Sequence, residues 1–450
     1  MAYSKLIVAS FFILVPLFAS LSLAADNSST PVSAGTICKS TPDPSFCKSV
    51  LPHNQTAGNV YYYGRFSVRK SLSQSRKFLN LVDKYLKRRS SLSLTAVRAL
   101  EDCRLLAGLN MDFLLNSFEM VNKTNTLSNL KADDVQTSLS AILTNQQTCL
   151  DGIQSTAAAW SLKTGLSAPN DTKFYSVSLA LFTKGWVPKK KMSKTWKPTR
   201  KQRGFKNGRL PLKMSSRTRA VYEGITKRKM LQTETEDDGV LVSEVVTVSQ
   251  NGTGNFSTIN DAIAAAPNNS ASTDGYFLIY VTAGVYEEYV SIAKNKKYLM
   301  MVGDGINQTI LTGNRSVVDG WTTFNSATFA VTAPGFVAVN MTFRNTAGAI
   351  KHQAVAVRNG ADLSTFYSCS FEAVVDPAGW RAWDGEFALS TLYYAEYNNT
   401  GPGSNTTSRV TWPGYHVINA TDAANFTVTN FLLGDDWLPQ TGVPYTGGLI

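Results

Sequence analysis

The sequence predicts a multidomain protein in which an N-terminal all-α bundle of four helices precedes an all-β domain of short strands. Between about residues 34 and 180, apolar side chains recur at helical spacings of three and four. From 240 to 450, short β-branched and aromatic runs separated by Gly, Asn and Asp are typical of strands. Residues 184–238 lack apolar periodicity and predict a flexible basic linker.

Residues 1–24 predict a secretory signal peptide. Lys5 supplies a positive charge, and 6–19 is almost wholly apolar. Ser22 and Ala24 are small residues at positions −3 and −1 of a cleavage site after Ala24. The alternative is a retained membrane anchor, but Pro16 and the small residues that follow it favour cleavage. No later stretch is long and apolar enough to span a bilayer. Fourteen Asn-X-Ser/Thr sequons follow, so we expect a secreted, extracellular glycoprotein.

Four of the five cysteines lie in the first third of the chain. In an oxidising compartment they can form two disulfides, and three pairings are possible. We favour Cys38–Cys47, which closes a short loop, and Cys103–Cys149, which joins two helices. Cys369 is left over as a small apolar group. The spacing of the cysteines does not suit a zinc site, and no metal or other cofactor is expected.

Helical periodicity is clearest around the second pair of cysteines. Cys103 and Cys149 each fall on the apolar stripe of an amphipathic pattern, and 66–86 predicts a further amphipathic helix. The two stripes comprise Ala96, Leu100, Cys103, Ala107, Met111 and Leu114, and Val135, Leu139, Ile142, Gln146 and Cys149. A disulfide between them clamps two neighbouring helices of a bundle.

The net charge of +12 belongs to the linker, because the stretch from Lys184 to Lys229 holds 17 Lys or Arg and one acidic residue. Its dibasic pair, Arg228 and Lys229, suggests a site for a processing protease. A solvated charge run and a patch for acidic polysaccharide are the alternatives. A nucleic-acid partner is disfavoured, because the basic residues lack interleaved aromatics at RNA-binding spacing and the signal peptide directs the chain out of the cell.

The strand-like runs recur at irregular intervals without Asn-Gly hairpin turns between them, which favours a parallel β-helix over a meander. One helix is expected, at 258–265. The expected strands are 277–281, 298–302, 327–332, 336–343, 354–357 and 415–418.

Several ordered motifs in this β part carry a family resemblance. They are Gly-Val-Tyr-Glu-Glu at 284–288, Gly-Asp-Gly at 303–305, and the runs 322–328, 342–348, 351–358, 379–385 and 392–397. In this order they resemble the pectin methylesterases, and the bundle with its cysteine spacing resembles the inhibitor-type pro-region of plant members.

The resemblance implies a right-handed parallel β-helix that hydrolyses the methyl esters of pectin to pectate and methanol. In the family, one Asp attacks the ester carbonyl and a second serves as general acid and then base. An Arg holds the nucleophile ionised, and a Gln amide stabilises the oxyanion. Two neighbouring carboxylates can divide these roles only when their environments separate their pKa values.

The sequence departs from the family where that chemistry resides. The Q-D-[ST]-L, D-F-I-F-G and L-G-R-P-W motifs, which carry both aspartates and the arginine, are absent. The chain passes from Phe371 and Glu372 to Asp376 with on the order of 110 residues missing, about four or five coils of a β-helix. We therefore expect a shortened β-helix, with hydrolysis abolished or severely impaired.

Part of the family's substrate-binding surface is retained. Thr323, Gln353 and Trp380 match positions that contact substrate in the family, Gln353 being the would-be oxyanion stabiliser, while packing is the alternative role for Trp380. No catalytic residue is retained. The nearest substitute acids are Asp362, Asp376 and Asp384, and a chance replacement is disfavoured because a nucleophile and its acid need placement to about an ångström.

Two classes of function follow. In the first, the chain is an incomplete version of a working pectinesterase. In the second, it is a secreted non-enzyme of the cell wall that binds pectin (homogalacturonan) through its β part or inhibits pectin methylesterases through its helical bundle. Pectin, pectin methylesterases and a processing protease are the expected partners, without a stable membrane anchor.

Overall fold

The computed structural model divides into two compact units, Met1–Ser73 with Phe113–Ser140 and Thr172–Val187, and Gln74–Asp112 with Ala141–Asp171 and Pro188–Ile450. The residues that it describes are 30–52, 58–154, 156, 165–166, 170–187, 212–226, 240–360, 364–367, 369–372, 376–382, 385–400, 403–436, 438–441 and 445–449. The predicted signal peptide and the Arg228-Lys229 processing site lie outside the described residues.

The N-terminal part is helical, as the spacings predict. Its helices are α1 (Ala34–Ile37), α2 (Pro44–Val50), α3 (Val60–Leu86), α4 (Leu94–Lys123), α5 (Asn129–Gln154) and α6 (Asp171–Trp186). The helix predicted at 66–86 begins six residues earlier, because the Asn59 side chain accepts from the Tyr62 N–H at 2.9 Å and caps the first turn. Within the described residues, no helix combines the length and apolarity that crossing a membrane needs.

The first unit is closed by contacts among α3–α6. Arg65 Nε donates to the Val121 carbonyl at 2.7 Å, and Trp186 Nε1 donates to the Thr124 carbonyl at 3.0 Å. The Cys38–Cys47 disulfide fastens α2 to the chain before it. This is the favoured pairing of the first two cysteines.

The second unit contains a helical cluster and the β domain. In the cluster, Phe78, Val82, Leu100 and Ile153 pack around the Cys103–Cys149 disulfide, which joins α4 to α5 as predicted. Ala99 and Ala107 are buried in the same cluster, where their small side chains let the surrounding residues pack closely against α4.

The β domain is a stack of parallel coils, and every strand pair among its described residues is parallel. Its strands are β1 (Leu212–Met214), β2 (Val240–Val248), β3 (Tyr276–Val281), β4 (Gly284–Glu287), β5 (Val290–Ile292), β6 (Leu299–Gly303), β7 (Thr309–Gly313), β8 (Phe329–Val331), β9 (Val337–Val339), β10 (Thr342–Asn345), β11 (Val357–Asn359), β12 (Thr365–Tyr367), β13 (Ser370–Glu372), β14 (Tyr394–Glu396) and β15 (Tyr415–Val417). The predicted helical bundle and parallel β-helix are both confirmed.

Three sheets form the walls of the coil. The first has the order β1-β2-β3-β6-β9-β12, the second β13-β10-β7-β4 and the third β11-β8-β5. Equivalent positions stack in register, so that Ile279, Met301, Ala338 and Phe366 form one interior column. The fourth coil contributes β12 and β13, the last strands of the first two sheets before Asp376.

The structure differs from the predicted linker over residues 212–226. There, β1 pairs with β2, and helix α7 (Ser216–Thr226) follows. Met214 is buried with Val240 and Met300 in a second apolar cluster against the first sheet. The basic composition of the surrounding residues did not reveal this strand. A strand of three residues needs only two apolar side chains on one face, here Leu212 and Met214, which is too short a pattern to stand out.

The remaining elements are short. Helix α8 (Ile259–Ala265) agrees with the expected helix, and α9 (Ala420–Ala424) lies near the C-terminus. The strand expected at 336–343 is divided into β9 and β10 at Asn340, whose φ of 55° turns the chain sharply. The prediction of a strand at 354–357 is wrong except for its last residue, Val357, where β11 begins.

Candidate functional site

Two neighbouring loops on the β-helix carry the predicted polar residues. Thr323 precedes the single 3₁₀ turn Phe324–Ser326, between β7 and β8, and Gln353 lies between β10 and β11. Both residues are exposed. Ser326 Oγ donates to the Thr323 carbonyl at 2.8 Å and accepts from the Val355 N–H at 3.1 Å. This side chain holds the two loops side by side.

Asn345 fixes these loops from the end of β10. The residue is 3% exposed, and its Nδ2 donates to the carbonyls of Arg315 at 3.0 Å, Ser326 at 3.3 Å and Val355 at 3.2 Å. Buried backbone carbonyls need partners, and one amide side chain supplies them for three segments. The polar surface around Thr323 and Gln353 is therefore built on a rigid support.

Arginine side chains stacked on aromatic rings line this surface. The Arg315 guanidinium lies 3.5 Å from the ring centre of Tyr289 and 3.8 Å from that of Trp321, and Arg358 lies 3.7 Å from that of Phe324. Burial lowers the pKa of Arg315, and it lowers the pKa of Arg358 to about 10. Both side chains remain cationic at neutral pH, which suits an anionic ligand.

Sequence reasoning missed Asp102, a residue of α4 in the same unit as the β domain. Its carboxylate accepts hydrogen bonds from Thr322 Oγ1 and Asn325 Nδ2, and the residue is 3% exposed. Burial raises the pKa of Asp102 to about 7, although the Thr322 bond and the Arg358 charge oppose that rise. No sequence signal distinguishes Asp102 from other acidic residues of an amphipathic helix.

The acidic residues near this surface have structural partners. Asp376 is exposed, and its Oδ1 accepts from the Ala378 N–H at 2.8 Å within a turn. Asp319 pairs with Lys351, whose hydrogen bond lowers the pKa of Asp319, and accepts from Ser316 Oγ at 2.7 Å. The other substitute acids, Asp362 and Asp384, lie outside the described residues.

Trp380 belongs to an aromatic cluster of the C-terminal segment. Its ring stacks on Tyr394 with centroids 5.3 Å apart and lies 5.2 Å from Tyr415. The next residue, Arg381, contacts His352 Nδ1, one position before Gln353. The contact brings the Trp380 segment next to the Gln353 loop, although the packing of Trp380 is also structural.

The Gly-Val-Tyr-Glu-Glu motif is structural in this fold. Glu288 accepts from the N–H groups of Ile259 at 2.8 Å and Asn260 at 3.0 Å, at the N-terminus of α8. Tyr286 is 1% exposed, and burial raises the pKa of its hydroxyl, which is within 3.1 Å of Thr282 Oγ1. Glu288 therefore joins the first coil to the helix that precedes it, and Tyr286 packs inside that coil.

Comparisons with known proteins agree with this two-part organisation. The family model described as Pectinesterase matches residues 245–374 and 370–435, and the one described as Plant invertase/pectin methylesterase inhibitor matches 33–181. Two proteins of Arabidopsis thaliana are similar, "Probable pectinesterase/pectinesterase inhibitor 7" and "Probable pectinesterase/pectinesterase inhibitor 41". The first is 51% identical and aligns over 98% of this chain and 99% of its own length. The second is 52% identical and aligns over 93% of this chain and 95% of its own length.

Among solved structures, the chain is similar to a pectin methylesterase from carrot. The alignment covers 49% of this chain and 100% of the carrot chain, at 33% identity and a TM-score of 0.35.

The fold defines an inhibitor-type helical bundle followed by a parallel β-helix. The chain belongs to the pectinesterase family and carries a domain of the pectin methylesterase inhibitor type.

Proposed function

We propose that this chain is a secreted cell-wall protein that binds pectin through the surface around Thr323 and Gln353 and has little or no esterase activity. The family reaction is hydrolysis of pectin methyl esters to pectate and methanol. Gln353 retains the amide that would stabilise an oxyanion, but the aspartates and arginine of the family motifs are not encoded. An oxyanion stabiliser alone cannot supply the nucleophile that the reaction requires.

One observation supports this proposal above all. The alignment with the first Arabidopsis relative runs over 575 positions, whereas this chain has 450 residues, so at least 125 aligned positions have no residue here. The two matches to the pectinesterase model meet at residues 370–374, at the same point where the fourth coil is interrupted after β13. We infer that the missing positions fall at this junction and include the catalytic segment.

Methanol release tests the proposal. The purified full chain is incubated with highly methyl-esterified pectin, and methanol is measured over time. The expected result is release at the rate of the uncatalysed control. The matched control is the same chain with the corresponding segment of the Arabidopsis relative inserted between Glu372 and Asp376, which should restore release. Hydrolysis by the original chain at a rate comparable to the restored chain contradicts the proposal.

Pectin binding is measured separately, by sedimentation of the chain with insoluble pectin. Gln353→Ala and Thr323→Ala should weaken the association, because each removes an exposed polar group from the surface that faces the polymer. Asn260→Ala is a control, since Asn260 lies at the α8 terminus and contacts Glu288. Unchanged binding in both surface variants argues against this surface as the pectin site.

A second function is favoured by the helical part. The inhibitor model matches residues 33–181, and both disulfides that we predicted lie within that range. We propose that the bundle inhibits complete pectin methylesterases after secretion, both in the intact chain and after cleavage at Arg228-Lys229. Adding the chain to an active plant pectin methylesterase should lower methanol release in a dose-dependent manner. Reduction of its disulfides should abolish the effect, and no inhibition at excess chain contradicts this function.

A further inference from the structure

Two neutral donors and one cation surround a single carboxylate on the surface of the β-helix. Thr322 Oγ1 donates to one oxygen of Asp102, and Asn325 Nδ2 donates to the other. The charge of Arg358 acts on the same carboxylate, and each charge shifts the pKa of the other group. The two donors and Arg358 belong to the β domain, whereas the carboxylate comes from α4.

Arg358 has hydrogen-bonding capacity to spare. Its Nε is buried and has no hydrogen-bond partner among the described residues. Buried N–H groups without a partner are rare in folded proteins, and this one belongs to a cation packed on the Phe324 ring. An additional acceptor would satisfy it, and a carboxylate is the acceptor that a guanidinium binds best.

We propose that Thr322, Asn325 and Arg358 form a subsite for the free carboxylate of a de-esterified galacturonate unit, and that Asp102 occupies this subsite in the intact chain. The inference rests on the proposed pectin binding and assigns a chemical preference to it. A methyl ester is neutral and cannot form charge-assisted hydrogen bonds, so the subsite distinguishes pectate from esterified pectin.

Arg98 fastens the residue that fills the subsite. One turn before Asp102 on α4, its guanidinium lies 3.7 Å from the ring centre of Trp321 and donates to the Gly320 carbonyl at 2.5 Å. Because Asp102 is part of the same chain and α4 is fastened by Arg98, its carboxylate has a high effective concentration at Thr322 and Asn325. A galacturonate carboxylate must displace it, which lowers the apparent affinity for pectate by the fraction of chains in which the subsite is open.

Calorimetric titration of the full chain with two oligomers tests the proposal, one of fully de-esterified galacturonate and one fully methyl-esterified. Asp102→Ala should bind the de-esterified oligomer about tenfold more tightly than the unchanged chain, because the competing carboxylate is gone. Affinity for the esterified oligomer should be unchanged. Asp112→Ala is the matched control, since Asp112 also lies on α4 and pairs with Lys294, outside the subsite. This variant should bind both oligomers as the unchanged chain does.

Adding Asn325→Ala or Arg358→Gln to Asp102→Ala should abolish the gain, with thermal melting to confirm that each chain is folded. Equal tightening for both oligomers shows only that a surface was uncovered and overturns the subsite. An unchanged affinity for pectate in folded Asp102→Ala overturns it as well. Binding of esterified pectin without any preference for pectate leaves the proposed function standing and refutes this inference alone. Failure to bind either oligomer refutes both.

Discussion

Glu396 and Arg409 form a bidentate ion pair whose side chains are only 8% and 4% exposed. Arg409 Nε donates to Glu396 Oε1 at 2.7 Å and Nη2 donates to Oε2 at 3.1 Å. Arg409 also donates to the carbonyls of Pro377 at 2.8 Å and Gly403 at 2.6 Å. The pair therefore joins β14 to two loops of the C-terminal segment.

Glu396→Gln should lower the melting temperature of the C-terminal segment, because it leaves the Arg409 charge buried without its counter-ion. The hydrogen bond from Arg409 lowers the pKa of Glu396, so the stabilisation is complete above the ordinary glutamate pKa and is lost as the pH falls below it. Thermal unfolding followed between pH 3 and 7 should show this loss in the unchanged chain and a smaller loss in Glu396→Gln, in which only the other carboxylates titrate. Lys173→Ala, which breaks an exposed pair with Asp43, is the control and should change little.

Asp102 gives the opposite dependence on pH. Burial raises its pKa from 3.8 to about 7, so the folded state binds a proton that the unfolded state releases. The contribution to stability is complete below the ordinary aspartate pKa and is lost as the pH rises to about 7, with a total on the order of 4 kcal/mol. Hydrogen exchange of the α4 amides from pH 4 to 8 should show progressively weaker protection.

Asp102→Asn removes the titrating group and should flatten that pH profile. The control is Asp319→Asn, because Lys351 lowers the pKa of Asp319 and its contribution is lost toward acid. A profile that keeps its slope in Asp102→Asn would assign the effect to another group. Glu101 and Arg358 are the charged neighbours that act on Asp102. Neutral substitutions of these two residues would then show whether either of them causes the pH dependence.

Asn345→Ala should destabilise the β domain by about 1–3 kcal/mol, because it removes the side-chain donor shared by the carbonyls of Arg315, Ser326 and Val355. Of these, the Val355 carbonyl keeps the Thr328 N–H as a partner. Denaturant unfolding monitored by circular dichroism measures this loss. Asn359→Ala, at the end of β11 and exposed, is the matched control and should shift the midpoint far less. Equal shifts in the two variants would contradict the supporting role of Asn345.

The positions of the strands could be predicted where side chains alternate or form compact apolar runs, as at β3 and β6. The ends of the strands could not be predicted at the corners between the sheets. Asn340 divides one apolar run into two strands through a positive φ, which the alternation of neighbouring residues does not reveal. The coil register is also invisible locally, because Ile279 and Met301 meet only when whole coils stack.

The candidate site was predictable to a different extent. Thr323 and Gln353 were found through family motifs, and the structure places their loops together through Ser326. Asp102 was not found, since its burial depends on residues more than 200 positions away in the sequence. A carboxylate on an amphipathic helix is usually exposed to solvent, and only a tertiary contact, as at Asp102, buries it.

The two disulfides should contribute unequally to stability. Cys103–Cys149 closes a separation of 46 residues and Cys38–Cys47 one of 9, so the loop-entropy model assigns about 4 and about 2.5 kcal/mol to them. The double variant Cys103→Ser/Cys149→Ser should therefore lower the unfolding midpoint more than Cys38→Ser/Cys47→Ser. Denaturant unfolding of both variants, each with the other disulfide intact, measures the difference. A larger loss from the short loop would indicate that strain or residual unfolded structure, and not loop entropy, sets the contribution of these bonds.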